Sequence, residues 1–392
     1  MPTTKVKNLI YRLALPVKGP GPLRPEIRVE GRRLTHPEAF ARLMRKHRVL
    51  GAGTLLAAGE EKSVITCSLK KPERAIRRDS LFRVASITKM ATALAALSAA
   101  QDGKLSLEGP VNDVFLSAGL PAAPELDGVT LKQLLSHTSG LADPPDLETS
   151  LLAGKAFPEV LPGCRADAPG AAFRYSNLGF GLVGCLLEAV DGLPVSESLD
   201  RRVFRPLGMR ATLDASSVAE ERIVPICRVL PYAPSRQLTV TPLGRIPLKA
   251  PDPLRHFGHT AGAMYADTES LEKLLRCLRA EGEPVLRPGG AGRLMISRQA
   301  SYGAASPALH YGLGVLIIED ASLSPGRILG HQGFAYGCAD GAFWEEETGR
   351  MIVFLNGGAS EARRRGRLGT CNEEMLRWAF RKEMPAWSGS VR

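Results

Sequence analysis

Strand-forming sequence lies near both ends of this 392-residue chain, and helix-forming sequence fills the middle. Residues 51–58 and 63–69 are short apolar runs separated by Gly59-Glu60-Glu61-Lys62, the pattern of an antiparallel hairpin. After residue 305, strand character returns at 311–318, 335–344 and 351–355, bounded by Ser-Pro-Gly and Glu-Thr-Gly turns. Between these ends, helical patterns run over 88–100, 131–136, 178–190 and 270–278, the last with Leu271, Leu274, Leu275 and Leu278 in one stripe. Strands this far apart in sequence bury a face only by coming together. The distribution therefore predicts an α/β (α+β) fold: an antiparallel sheet flanked by helices and built from both chain ends, with an inserted all-α domain. The expected divisions are an irregular Pro-, Gly- and Arg-rich arm at 1–35, a sheet domain of 36–80 plus 305–392, and a mainly helical domain at 81–304. Residues 39–44 and 372–381 are expected to be helices of the sheet domain, and the proline-rich stretch 215–260 a long connection with some strand.

Composition narrows the functional classes. With 44% hydrophobic and 23% charged residues, the chain reads as an ordinary globular protein, and no run of 18 apolar residues predicts a transmembrane helix. The first residues lack the apolar core of a secretory signal, since Tyr11-Arg12 interrupts Leu9-Ile10 and Leu13-Ala14-Leu15. Seven scattered cysteines without C-x-x-C spacing fit reduced thiols and no zinc site, so a cytoplasmic location is expected. The formal charge of +11 concentrates at Lys70-Lys71, Arg77-Arg78 and Arg363-Arg364-Arg365-Gly366-Arg367, without interleaved aromatics. These clusters read as solvated surface, with binding of an anion or acidic partner as the alternative, and carry no specific nucleic-acid motif.

Three S-x-x-K pairs are present: Ser68/Lys71, Ser86/Lys89 and Ser270/Lys273. Ser68 lies in a strand-like run, where a spacing of three puts the two side chains on opposite faces. Ser270 and Lys273 border the leucine stripe of an amphipathic helix and read as a solvated face. Ser86 ends Leu81-Phe82-Arg83-Val84-Ala85 and begins the most apolar helix in the chain, with Lys89 one turn along on the same face. A serine hydroxyl becomes an effective nucleophile when a nearby base takes its proton. Read alone, the pair also fits a helix N-cap followed by a surface lysine.

Two further elements point the same way. Tyr175-Ser176-Asn177 follows a Pro/Gly-rich loop and precedes an apolar helix. Tyr175 could shuttle a proton at Ser86, and Asn177 could hydrogen-bond the Lys89 amine or the substrate. His331-Gln332-Gly333-Phe334 lies between the expected strands 311–318 and 335–344. Gly333 would let backbone approach a substrate closely, and the Phe334 N–H could join that of Ser86 as an oxyanion hole. A second H-x-G, His256-Phe257-Gly258, lacks the strand context.

Taken in this order, the segments resemble the serine β-lactamase and penicillin-binding-protein superfamily, especially its class C-related branch of esterases and D-alanyl-D-alanine carboxypeptidases. The S-x-x-K motif is known for this group. The likeness extends through Ser80–Lys89 (SLFRVASITK), Gly103–Leu107, Leu131–Leu141 (LKQLLSHTSGL), Pro206–Met209, Ala261–Tyr265 and Tyr311–Gly314, covering about residues 38 to 380. The resemblance implies a cleft between an α/β domain and a helical one, an acyl-enzyme on Ser86, acid/base work shared by Lys89 and Tyr175, and neither metal nor organic cofactor. It leaves open which of the two accepts the serine proton.

Departures from the family bear on substrate. His331 stands where β-lactamases carry a lysine that helps anchor a carboxylate, and a histidine is mostly neutral near pH 7. Phe334 stands where small residues are usual, and its bulk is expected to narrow the acyl pocket or to favour an apolar acyl group. The expected function is hydrolysis of a small-molecule ester, amide or peptide. Alternatives are a D-amino-acid peptidase or β-lactamase, an acyltransferase, and a non-catalytic scaffold; the oligomeric state is not legible.

Overall fold

The computed structural model describes residues 26–34, 37–68, 76–226, 240–302, 309–359 and 367–380. Its strands are β1 (Glu26–Gly31), β2 (Gly51–Ala58) and β3 (Glu61–Ser68) near the start, and β4 (Phe82–Arg83), β5 (Ala211–Thr212) and β6 (Tyr265–Ala266) in the middle. Then come β7 (Ala300–Ser301), β8 (Leu309–Tyr311), β9 (Leu316–Ile318), β10 (Ile328–Ala335), β11 (Cys338–Glu345) and β12 (Met351–Asn356). Nine of them form one antiparallel sheet in the order β1-β3-β2-β12-β11-β10-β9-β8-β7. The chain ends meet where β2 pairs with β12, from Ala57↔Met351 to Ala52↔Asn356. The remaining three make a small sheet, β4-β6-β5. The mixed α/β fold with a sheet drawn from both ends is thus the one the sequence predicts.

The principal helices are α1 (Pro37–Lys46), α2 (Thr88–Gln101), α3 (Leu131–Leu135), α4 (Asn177–Asp191), α5 (Thr268–Arg279) and α6 (Thr370–Phe380). Side chains alternate across a strand, so the central strands of the large sheet feed two cores. On one face, Ile352 and Phe354 pack with Phe40 and Met44 of α1 and with Met375 and Trp378 of α6. On the other, Val353 and Leu355 join the larger core with α2, α4 and α5. Every residue of α2 from Thr88 to Leu97 is buried, which explains why its sequence shows no polar face. Among the described residues no single helix is long and apolar enough to cross a membrane.

Four local expectations change. The expected irregular arm contains β1, whose Ile27 and Val29 alternate with charged residues as an edge strand does, in register with β3. The run 311–318 is split into β8 and β9 by a tight turn in which Gly312 N donates to Val315 O at 2.8 Å and Gly314 adopts φ +73°. His331–Phe334 lie inside β10 rather than between strands, because β10 begins at Ile328. In 215–226 and 240–258 the chain forms short turns such as Ala215–Ser217 and Leu243–Arg245, its prolines denying it ladder donors. Residues 1–25, Lys70, Lys71 and most of the 363–367 basic cluster lie outside the described residues.

Candidate active site

The approach to Ser86 is fixed from both sides. β4 pairs with β6, and Val84 N continues the register by donating to Met264 O at 2.9 Å. The chain then turns through Ala85, a non-glycine residue at φ +47°, into a 3-10 turn that leads directly to α2. A left-handed conformation at such a residue costs on the order of 1–2 kcal/mol, which the surrounding contacts must offset. Thr88 Oγ1 helps by donating to Ala85 O at 2.6 Å and accepting from Met264 N at 3.2 Å. Ser86 is consequently the one partly exposed residue between Ser80 and Leu97.

Two of the sequence-selected side chains converge on it, and a third, Asn177, holds one of them. Lys89, fully buried, places Nζ 3.2 Å from Ser86 Oγ, 2.9 Å from Asn177 Oδ1 and 2.6 Å from Ala261 O. Both carbonyl oxygens accept from Nζ, so a neutral amine can engage its hydrogens there and turn its lone pair toward Ser86. Tyr175 Oη lies 2.9 Å from Ser86 Oγ, and Lys89 Nζ sits 5.0 Å from the centre of the Tyr175 ring. The hydroxyl is therefore within proton-transfer distance of two groups that can act as acid or base. Asn177 is the first residue of α4, and Ser176 caps that helix by accepting from Gly179 N at 2.9 Å.

Residues not selected from the sequence hold this group in place. Asp143 accepts from Ser176 Oγ (3.0 Å), Leu178 N (2.9 Å) and Asn177 Nδ2 (2.8 Å). His137 accepts from Ser176 N at 3.1 Å through Nδ1, and its ring centre lies 4.3 Å from that of Tyr175. Burial, reinforced by Lys89 and His331, holds the His137 pKa well below the usual histidine value. An imidazole with Nδ1 accepting must carry its proton on Nε2. The signal for His137 was present, inside the family-like stretch Leu131–Leu141. Asp143 gave none, since an aspartate before Pro144-Pro145 reads as an ordinary turn residue.

The third motif contributes differently along β10. Gly333 packs against the backbone just before Ser86: a Cβ there would lie 2.4 Å from Val84 O and 3.2 Å from the Ala85 Cβ. Only a glycine permits that approach. His331 shares this face but is buried, and both ring nitrogens are engaged, Nδ1 with Gln332 O at 2.6 Å and Nε2 with Tyr311 Oη at 2.8 Å. Since a carbonyl only accepts, Nδ1 carries the proton and Tyr311 donates to Nε2. Burial first, and Lys89 second, push the His331 pKa down to about 3, so the ring is neutral near pH 7. The expectation that Phe334 narrows the acyl pocket is overturned. Period-two alternation puts its ring on the opposite face, where a Cβ at Gly369 would lie 2.2 Å from its Cζ. Only the Phe334 backbone remains near the site.

The competing motifs are accounted for elsewhere. Ser68 ends β3, and its partner Lys71 lies outside the described residues. Ser270 is buried rather than solvated, because the start of α5 lies against the residue that precedes β5: its Oγ accepts from Arg210 N at 2.7 Å. Lys273 donates to Gly208 O. His256 is buried against Glu188, with Nδ1 2.8 Å from Oε1.

Comparison with known proteins places this geometry in context. Residues 37–368 match the family model described as Beta-lactamase. The curated relatives include Esterase EstB of Burkholderia gladioli, 27% identical over 347 residues that cover 75% of this chain and 85% of the esterase. Solved structures of similar fold include EstCE1, a hydrolase with promiscuous acyltransferase activity, with a TM-score of 0.66 at 21% identity, covering 95% of this chain and 98% of that one. Another is the D-amino acid amidase from Ochrobactrum anthropi SV3 in complex with D-phenylalanine, with a TM-score of 0.65 at 22% identity, covering 87% and 97%. With the family model spanning both sheet segments and the helices between, the chain belongs to the beta-lactamase family and is a hydrolase of that family.

Proposed function

We propose that the protein is a cytoplasmic serine esterase or amidase that acts on an uncharged small-molecule acyl substrate through an acyl-Ser86 intermediate. The observation that carries this reading is the convergence of Lys89 Nζ (3.2 Å) and Tyr175 Oη (2.9 Å) on Ser86 Oγ. Ser86 Oγ attacks the substrate carbonyl, and its proton passes to Lys89 or Tyr175. The backbone N–H groups of Ser86 and Phe334 receive the oxyanion, made accessible by the close approach of Gly333. Collapse expels the leaving group, which takes the proton back from the same acid/base pair. A water molecule, activated in turn, attacks the acyl carbonyl and frees Ser86.

Preference for an uncharged substrate rests on His331. A neutral imidazole whose two nitrogens are both engaged within the protein offers no charge to a substrate carboxylate. The cytoplasmic assignment is supported by six free, buried cysteines among the described residues. Turnover of p-nitrophenyl acetate, a D-amino acid amide and a chromogenic cephalosporin, with Ser86→Ala as control, tests the reading. Ester turnover above lactam turnover, lost in the variant, is expected. Efficient cephalosporin cleavage would shift the assignment to a β-lactamase, and amide turnover above ester turnover to an amidase.

A further inference from the structure

The site as described leaves one question of orientation. An asparagine amide has an oxygen and an NH2 group of nearly equal size, and only the oxygen can accept from Lys89. Asn177 Oδ1 faces Lys89 Nζ at 2.9 Å, so something must hold the amide that way round. We infer that Asp143 is the positioning residue that sets the Asn177 amide, and through it the alignment of Lys89 with Ser86. This inference rests on the serine-hydrolase reading above.

The carboxylate of Asp143 is an acceptor at both oxygens. Oδ2 takes the Asn177 Nδ2 donor at 2.8 Å, which turns Oδ1 of Asn177 toward Lys89. Oδ1 of Asp143 takes two more donors, Ser176 Oγ at 3.0 Å and Leu178 N at 2.9 Å. Donors from three consecutive residues therefore meet one carboxylate directly after Tyr175. The backbone around Asp143 is itself held, with Ala142 N donating to Cys164 O at 2.8 Å and Leu141 bridged to Arg165. A network of this kind fixes one arrangement only if every member is satisfied.

Asp143→Asn keeps the shape and removes one acceptor. The Leu178 N–H cannot turn away, so the remaining amide oxygen stays with it and the new NH2 faces Asn177 Nδ2. Two donors in contact force Asn177 to turn over, which brings its NH2 against Lys89 Nζ. The lysine loses an acceptor and its alignment with Ser86.

The test is a double-mutant cycle of Asp143→Asn and Asn177→Ala, read by the rate of Ser86 labelling with a fluorophosphonate probe. In the otherwise native protein, Asp143→Asn is expected to lower the maximal labelling rate roughly 10- to 100-fold, the range set by misplacing a reacting group by about 1 Å. The probe concentration for half-maximal rate should stay unchanged, because Asp143 does not touch the probe. With Asn177→Ala already present, Asp143→Asn should have almost no further effect. Equal losses in both backgrounds, or no loss in the native one, would overturn the inference. Thermal unfolding identifies a variant that fails to fold. In that case Asp143→Ser, too short to reach Asn177, replaces it in the same cycle with the same expected coupling. Wild-type protein that takes no label at Ser86 would overturn both this inference and the hydrolase reading; labelling with an additive cycle would overturn this inference alone.

Discussion

The S-x-x-K pairs Ser86/Lys89 and Ser270/Lys273 share a spacing at the start of a helix yet stand in different surroundings. Ser86 stands at the entry to α2, half exposed, and its hydroxyl meets Lys89 and Tyr175. Ser270 is sealed in the first turn of α5, where its hydroxyl accepts a backbone N–H from Arg210. Lys89 is fully buried among carbonyl oxygens from Asn177 and the His259–Gly262 turn. Lys273 reaches across the surface to Gly208 O. What distinguishes the two pairs is therefore what the fold brings to each from elsewhere, and whether the serine is left accessible.

The sharpest way to break this comparison is to remove each lysine. Lys89→Met should lower kcat/KM for p-nitrophenyl acetate by about 10³-fold, within the range of a lost general acid or base. Lys273→Met should leave it unchanged. Similar effects from the two would erase the distinction. Tyr175→Phe comes next: steady-state kinetics should show a loss of roughly 10²-fold in kcat, since the second proton carrier goes while Lys89 remains.

Ser270→Ala reverses the logic. It should destabilise the protein by about 1 kcal/mol by removing the hydroxyl that accepts from Arg210 N, seen as a lower denaturation midpoint with turnover intact. A loss of activity without a loss of stability would mean that Ser270 has a chemical role.

The last expected effect concerns the dependence of stability on pH. His331 has a folded pKa of about 3 against 6.5 for an unperturbed histidine, so the unfolded chain binds its proton first as pH falls. Its contribution to stability is complete above the unfolded value and is lost progressively between 6.5 and about 3. His259, lowered to about 4 by burial, acts in the same direction. Denaturation midpoints measured across this window should depend less on pH in His331→Gln than in the native protein. An unchanged slope would show that His331 is not held neutral.

The fold was legible because periodicity survives where elements are long: α4, α5, α6 and the β2–β3 hairpin lie within a few residues of their expected limits. Ser86, Lys89, Tyr175 and Asn177 were legible because each sits at the start of an apolar helix or just before one. Three features escaped for separate physical reasons. β1 is an edge strand, whose outward charges read as a polar arm. The direction of the Phe334 ring depends on where β10 starts, and one residue of register decides which face it takes. Asp143 acts through a contact with residues more than thirty positions away, which no local pattern encodes.

The central claim is that Ser86 carries the covalent chemistry, and the most direct measurement is site identification after fluorophosphonate treatment. Mass spectrometry of the digested protein should find a single adduct on the peptide containing Ser86, absent from Ser86→Ala and undiminished in Ser270→Ala. An adduct on any other residue, or labelling that persists in Ser86→Ala, would contradict the account.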